Sequence, residues 1–122
     1  MNKYGNRKTH VGDIAFDSVR EARYYVYLRD RERKGEISDL RLQVPYELVP
    51  AVYREEVRHL KTKDKTVCKC VQKAVHYIAD FVYTDTATGK EVLVDTKGYR
   101  TKEYILKKKM MLAFRGIEIV EA

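Results

Sequence analysis

The chain has 122 residues, of which 44% are apolar and 35% charged, and Lys and Arg outnumber Asp and Glu by 25 to 18 for a net charge of +7. That length suits a single domain over residues 1–122, and the apolar share excludes a disordered segment. No apolar run approaches the roughly 20 residues of a membrane span, the polar N-terminus lacks a signal-peptide core, and the two cysteines stand too close to bridge, so a reduced cytoplasmic protein without a membrane partner is expected.

Residues 1–15 read as a basic arm, with Lys3, Arg7 and Lys8 around Tyr4 and Gly5. Asp17 or Ser18 then makes a good N-cap, and Ser18 with Glu21 has capping-box spacing. A helix follows over about 18–34, with Val19, Ala22, Tyr25, Val26 and Leu28 at helical spacing and a basic end before Gly35. Tyr24, Tyr25 and Tyr27 cannot all face one way, so at least one belongs to the core. After Gly35 the period changes to two. Leu40, Leu42, Val44, Tyr46 and Leu48 alternate with other residues as a strand, and Pro45, having no N–H, places that strand at a sheet edge or a bend.

Residues 51–73 form a variable hairpin or insertion. They admit two readings: a long hairpin turning at the cationic segment Lys61 to Lys65, or a short helix over 53–60. From Val75 to Tyr83 the chain is β-rich and nearly continuously apolar except at His76 and Asp80, where a histidine is normally packed. A turn over 84–90 leads to a return strand, Glu91 to Lys97. Pairing Tyr83 with Val92 sets Asp80 opposite Asp95, with facing Cβ atoms about 4.5–5.5 Å apart. Asp95 and Lys97, two residues apart on a strand, should project from the same face. A second helix over about 102–114 ends at Gly116, and a last strand over 117–120 returns parallel by a right-handed crossover.

Two facing carboxylates in a partly apolar sheet repel unless one holds a proton or a cation lies between them. Mg²⁺ takes oxygen ligands and needs only one or two protein carboxylates, so Asp80, Asp95 and the Thr96 carbonyl would suffice. Lys97 beside such an ion could orient a water and stabilise charge on phosphate oxygens, and Glu21 could supply a further carboxylate. Each residue alone has a plainer role: Asp95 and Lys97 as an ion pair, Glu21 as a capping acid, Asp80 as a turn acceptor. Their order along the chain carries the catalytic reading. His10, His59 and His76 lack ligand spacing, and Cys68 and Cys70 lack the two further ligands of a zinc site.

Phe16, Asp17 and Ser18 followed by Glu21 and Ala22; Gly35 to Leu40 with Gln43; Tyr77 to Phe81; and Asp95, Thr96, Lys97 and Gly98 with Tyr104, Lys107 and Lys109 together resemble the PD-(D/E)XK nuclease superfamily. More narrowly, they are similar to a small uncharacterised family of phage and prophage proteins assigned to it, related to Holliday-junction resolvases and transposase-associated endonucleases. The resemblance implies an α/β fold with a restriction-endonuclease-like core, ordered helix, strand, strand, strand, helix, strand, with a central mixed sheet flanked by helices. It also implies Mg²⁺- or Mn²⁺-dependent cleavage of DNA, including branched DNA, in phage replication or recombination. Carried over by motif, Glu21, Asp80 and Asp95 are metal-site acids, Lys97 is the catalytic lysine and Gln43 is a polar residue near the site. Lys102, Lys107 and Lys109 are the candidates for DNA contact. Ala79 stands where the signature has a proline. The competing expectations are a non-catalytic DNA-binding protein that retains the fold, and a ribonuclease or RNA binder. A homodimer suits a junction cut twice symmetrically.

Overall fold

The computed structural model describes residues 8–122; Lys3 and Arg7 of the expected arm lie outside the described residues. In chain order the elements are β1 (Thr9–Val11), β2 (Ile14–Phe16), α1 (Val19–Arg33), β3 (Ile37–Val49), β4 (Val52–His59), β5 (Asp64–Gln72), β6 (Val75–Asp85), β7 (Glu91–Asp95), α2 (Lys102–Arg115) and β8 (Val120–Glu121). The fold is α/β with a mixed central sheet and two helices, as expected. The order is richer in strands than expected. None of its helices is long and apolar enough to cross a membrane among the described residues.

The first addition is the β1–β2 hairpin, which takes up the described part of the expected basic arm. Its apolar residues explain the difference: Phe16 is buried, and Val11 and Ile14 pack against the same cluster beneath α1. The second is β4–β5, which settles residues 51–73 as a hairpin. Its strands pair from Val52 with Gln72 to His59 with Asp64, so the helix over 53–60 is excluded.

Local chemistry sets the helix ends. Ser18 is extended and its Oγ accepts from the Glu21 N–H at 3.1 Å, opening α1. Gly116, at φ +66° in the left-handed region, closes α2 as its N–H donates to the Leu112 carbonyl. The central sheet runs β3-β6-β7-β8, antiparallel except for the parallel β7–β8 pair that α2 connects. β3 is an edge strand, where Pro45 is tolerated. The last strand starts later than expected because Ile117 and Ile119 are used as core residues under α2.

Two apolar clusters cover the sheet, one beneath α1 with Leu28, Ile37 and Phe81, the other beneath α2 with Leu93, Met111 and Ile119. Strict alternation would keep Leu40 to Leu48 on one face. Instead Leu40 and Leu42 join the α1 cluster, whereas Val44, Tyr46 and Leu48 join the α2 cluster. β6 reverses in the same way: Phe81 and Tyr83 belong to the first cluster, Tyr77 and Ala79 to the second. Leu42 pairs with Phe81 and Val44 with Ala79, so both reversals fall where Gln43 meets Asp80. Gln43 has φ +51°, the left-handed region, which turns β3 over at that point.

Candidate active site

The reversal assembles a polar chain across three elements and the end of a fourth. Gln43 Nε2 donates to Glu21 Oε1 at 3.0 Å and to Asp80 Oδ1 at 3.4 Å. Asp80 Oδ2 accepts from the Thr96 N–H at 3.0 Å and from Thr96 Oγ1 at 2.9 Å. Glu21, Gln43, Asp80, Thr96 and Lys97 line one cleft of about 920 Å³, together with Arg20, Tyr99 and Thr101. Gln43, which sequence made a secondary candidate, is the hub.

Glu21 is buried at the first turn of α1. Its carboxylate is taken by Gln43 and not by the helix cap, so only the Ser18 half of the capping box forms. Burial above all, then the negative charges of Asp80 and Asp17, raises its pKa to about 7, against the opposing effects of Gln43 and Lys97.

Asp95 lies elsewhere. It is wholly buried at the last position of β7, and it does not line the cleft. Tyr77 Oη donates to its Oδ2 at 2.7 Å, while Oδ1 is buried with no partner. Burial raises its pKa to about 6, with Asp80 and Glu121 adding to the shift and Tyr77 and Lys97 opposing it. The Tyr77 hydroxyl is itself pushed far above its ordinary range, by burial and then by this bond. The expected pairing of Tyr83 with Val92 is present, but the ladder ends at Phe81 and Val94. Asp80 turns to the cleft, and Asp95 turns beneath α2.

Lys97 corrects a second expectation. β7 ends at Asp95, so the same-face rule for a strand no longer applies two residues on. One side chain is buried and the other exposed. Lys97 Nζ sits 5.6 Å from the Tyr104 ring centroid, on the wall of the cleft, and its charge favours ionised Glu21 and Asp95.

No group of three or more His, Cys, Asp or Glu side chains among the described residues is placed to hold a metal ion. Glu21 and Asp80 meet through Gln43, and Asp95 stands behind them. Of the expected DNA contacts, Lys102 is exposed at the start of α2. Lys107 is ion-paired to Glu103 at 2.9 Å and shares a groove with Lys97, while Lys109 lines a different groove beside Ile105 and Leu112. His76 is exposed and not packed, because it falls beyond the reversal on β6. Cys68 and Cys70 are free and exposed. Tyr77 was missed in the sequence; its signal was a tyrosine in an apolar strand, whose buried hydroxyl must find a partner.

Over residues 1–120 the sequence matches a family model described as "Protein of unknown function (DUF1064)". The chain belongs to the DUF1064 family. No curated protein and no solved structure matches it.

The donor set of this DUF1064 protein fits a hard divalent cation in kind. Glu21 and Asp80 offer carboxylate oxygens at the cleft, and His and Cys are absent from its lining. The unpartnered Asp95 Oδ1 is a buried acceptor of the sort that a cation or a proton satisfies.

Proposed function

We propose that this protein is a Mg²⁺- or Mn²⁺-dependent DNA endonuclease with a restriction-endonuclease-like core, acting in the cytoplasm on duplex or branched DNA during phage replication or recombination. The observation that carries this reading is the Glu21–Gln43–Asp80–Thr96 chain with Lys97 in one cleft. Glu21 and Asp80 would hold the ion, with the Thr96 carbonyl and Asp95 as the remaining candidates. Such an ion supplies Lewis acidity at a phosphoryl oxygen. Lys97 brings a positive charge to the non-bridging oxygens as charge accumulates there. Gln43 holds both acids in place, and Thr96 orients Asp80.

The test is a panel of single-stranded, duplex, flap and four-way DNA substrates with Mg²⁺ or Mn²⁺, and matched RNA beside them. The expected result is cleavage of DNA that Asp80→Asn and Lys97→Ala abolish while folding and DNA binding persist. Full activity in either variant would sink the site. A homodimer belongs to the junction-cutting form of this reading, and sedimentation of the free protein reads it.

One observation favours a second reading, a non-catalytic DNA-binding protein: no group of three or more His, Cys, Asp or Glu side chains among the described residues is placed to hold a metal ion. That reading expects no cleavage of any substrate and no thermal response to divalent cations.

A further inference from the structure

The β4–β5 ribbon stands apart from both core clusters, and no residue of either strand is buried. An isolated two-stranded hairpin is marginal in water. This one is also charged against itself. Its register sets Arg54 directly opposite Lys69 and Arg58 directly opposite Lys65. Like charges facing across a ladder are destabilising. Both pairs lie on one face, since residues 54, 56 and 58 of β4 alternate with the opposite face at 53, 55, 57 and 59. Glu56, 3.8 Å from Lys69, is the only acid on the cationic face. The opposite face carries Tyr53, Val57, Thr66 and the two cysteines with the acids Glu55 and Asp64, the latter bonded to His59, and no Lys or Arg. Lys61 and Lys63 extend the positive charge into the turn.

A ribbon whose strand lysines and arginines all lie on one face, in facing pairs, calls for an anion that bridges them. Four residues of strand separate Arg54 from Arg58, about 13 Å, so the demand is for a linear polyanion rather than a single phosphate. We propose that the β4–β5 ribbon is a duplex-DNA-binding arm that enters the major groove and sets Arg54, Arg58, Lys65 and Lys69 against the phosphates. B-form DNA has a major groove about 12 Å wide, which admits a two-stranded ribbon, whereas the A-form groove of duplex RNA is too narrow and deep. The need for a polyanion follows from the register alone; its identity as DNA rests on the nuclease reading. The ribbon departs from the ends of β3 and β6 at Val49 and Val75, six residues along β3 from Gln43. Binding there would hold the duplex about 20 Å of strand away from the cleft, where contact need not alter the chemistry.

The experiment is fluorescence anisotropy of the full chain on short duplex DNA and matched duplex RNA, in EDTA, across a salt titration. The variant carries Arg54→Gln, Arg58→Gln, Lys65→Gln and Lys69→Gln together. Its plot of log affinity against log salt should be shallower than that of the wild type by about 3–4 units, since each neutralised phosphate contributes about 0.9. Its melting temperature should equal or exceed that of the wild type, because the facing like charges are gone. If the fourfold variant does not fold, the pair Arg58→Gln and Lys65→Gln reads the same effect, with a slope shallower by about 2. Arg54→Lys with Arg58→Lys, which keeps the charge, should bind as the wild type does. An unchanged DNA slope overturns the proposal, as does a loss confined to RNA, or a loss of self-association in sedimentation in place of DNA binding. Binding is read without metal, so the two readings separate. Lost DNA binding beside a wild type that cuts nothing upholds the ribbon and removes the nuclease. Cleavage by the wild type beside undiminished binding by the Gln variant does the reverse.

Discussion

Burial, by removing them from water, is the chief cause that pushes the Glu21 carboxyl up to about 7 and that of Asp95 up to about 6. In the unfolded chain they would titrate near 4.5 and 3.8, so between those values and the raised ones the native state binds more protons. Their contribution is therefore full below the unfolded values and is lost as pH rises through about 6 and then about 7. Without divalent cations the melting temperature should fall from about pH 5 to about pH 8 through these groups. Glu21→Gln should flatten the upper part of that fall and melt above the wild type in mild alkali, as followed by circular dichroism. Among the described residues the Tyr77 hydroxyl is the single donor to the Asp95 carboxylate. Tyr77→Phe should cost about 1–3 kcal/mol near neutral pH, where Asp95 is ionised and would have no donor, and less in acid. Urea melts at the two pH values measure the difference.

At the scale of elements, the reversal at Gln43 and Asp80 decides what the sheet presents. A non-glycine residue in the left-handed region is strained by about 1–3 kcal/mol, and a β-branched one suffers most. Gln43→Gly should therefore keep or raise stability while losing the bridge between Glu21 and Asp80, whereas Gln43→Val should destabilise by about 1–3 kcal/mol. Equal melting of the two variants would show that the backbone turn at this position carries no strain. The strands themselves were legible: a strand over Leu40 to Leu48, the edge position of Pro45 and the Tyr83–Val92 register all match the structure. Which face each residue takes was not legible. Period two assumes an unbroken pleat, and nothing about a glutamine announces a positive φ.

For the whole molecule, the proposed cation site would link to folding through Glu21, the cleft acid whose pKa burial raises to about 7. A cation that binds the native state at the cleft raises its stability by mass action, and it competes with the proton that Glu21 holds. Millimolar Mg²⁺ should therefore raise the melting temperature, and by more at about pH 8 than at about pH 6, where protons occupy the same oxygens. Asp80→Asn should abolish the response. No shift with Mg²⁺ or Mn²⁺ at either pH would favour the non-catalytic DNA-binding reading.

The sequence by itself determined the features that arise within a few residues: the Ser18 cap, the helix ended by Gly116, the strand character around Asp80 and Asp95, and the parallel return after α2. These follow from caps, periods and connection lengths, all of which are local. It also singled out Glu21, Gln43, Asp80 and Lys97, which the cleft does bring together. Only the tertiary structure decided that Asp95 is sealed beneath α2 against Tyr77 and that Gln43 joins the other two acids. That partition depends on two strands turning over at a shared register and on β7 ending before Lys97, and neither event is encoded in the spacing of the residues it separates.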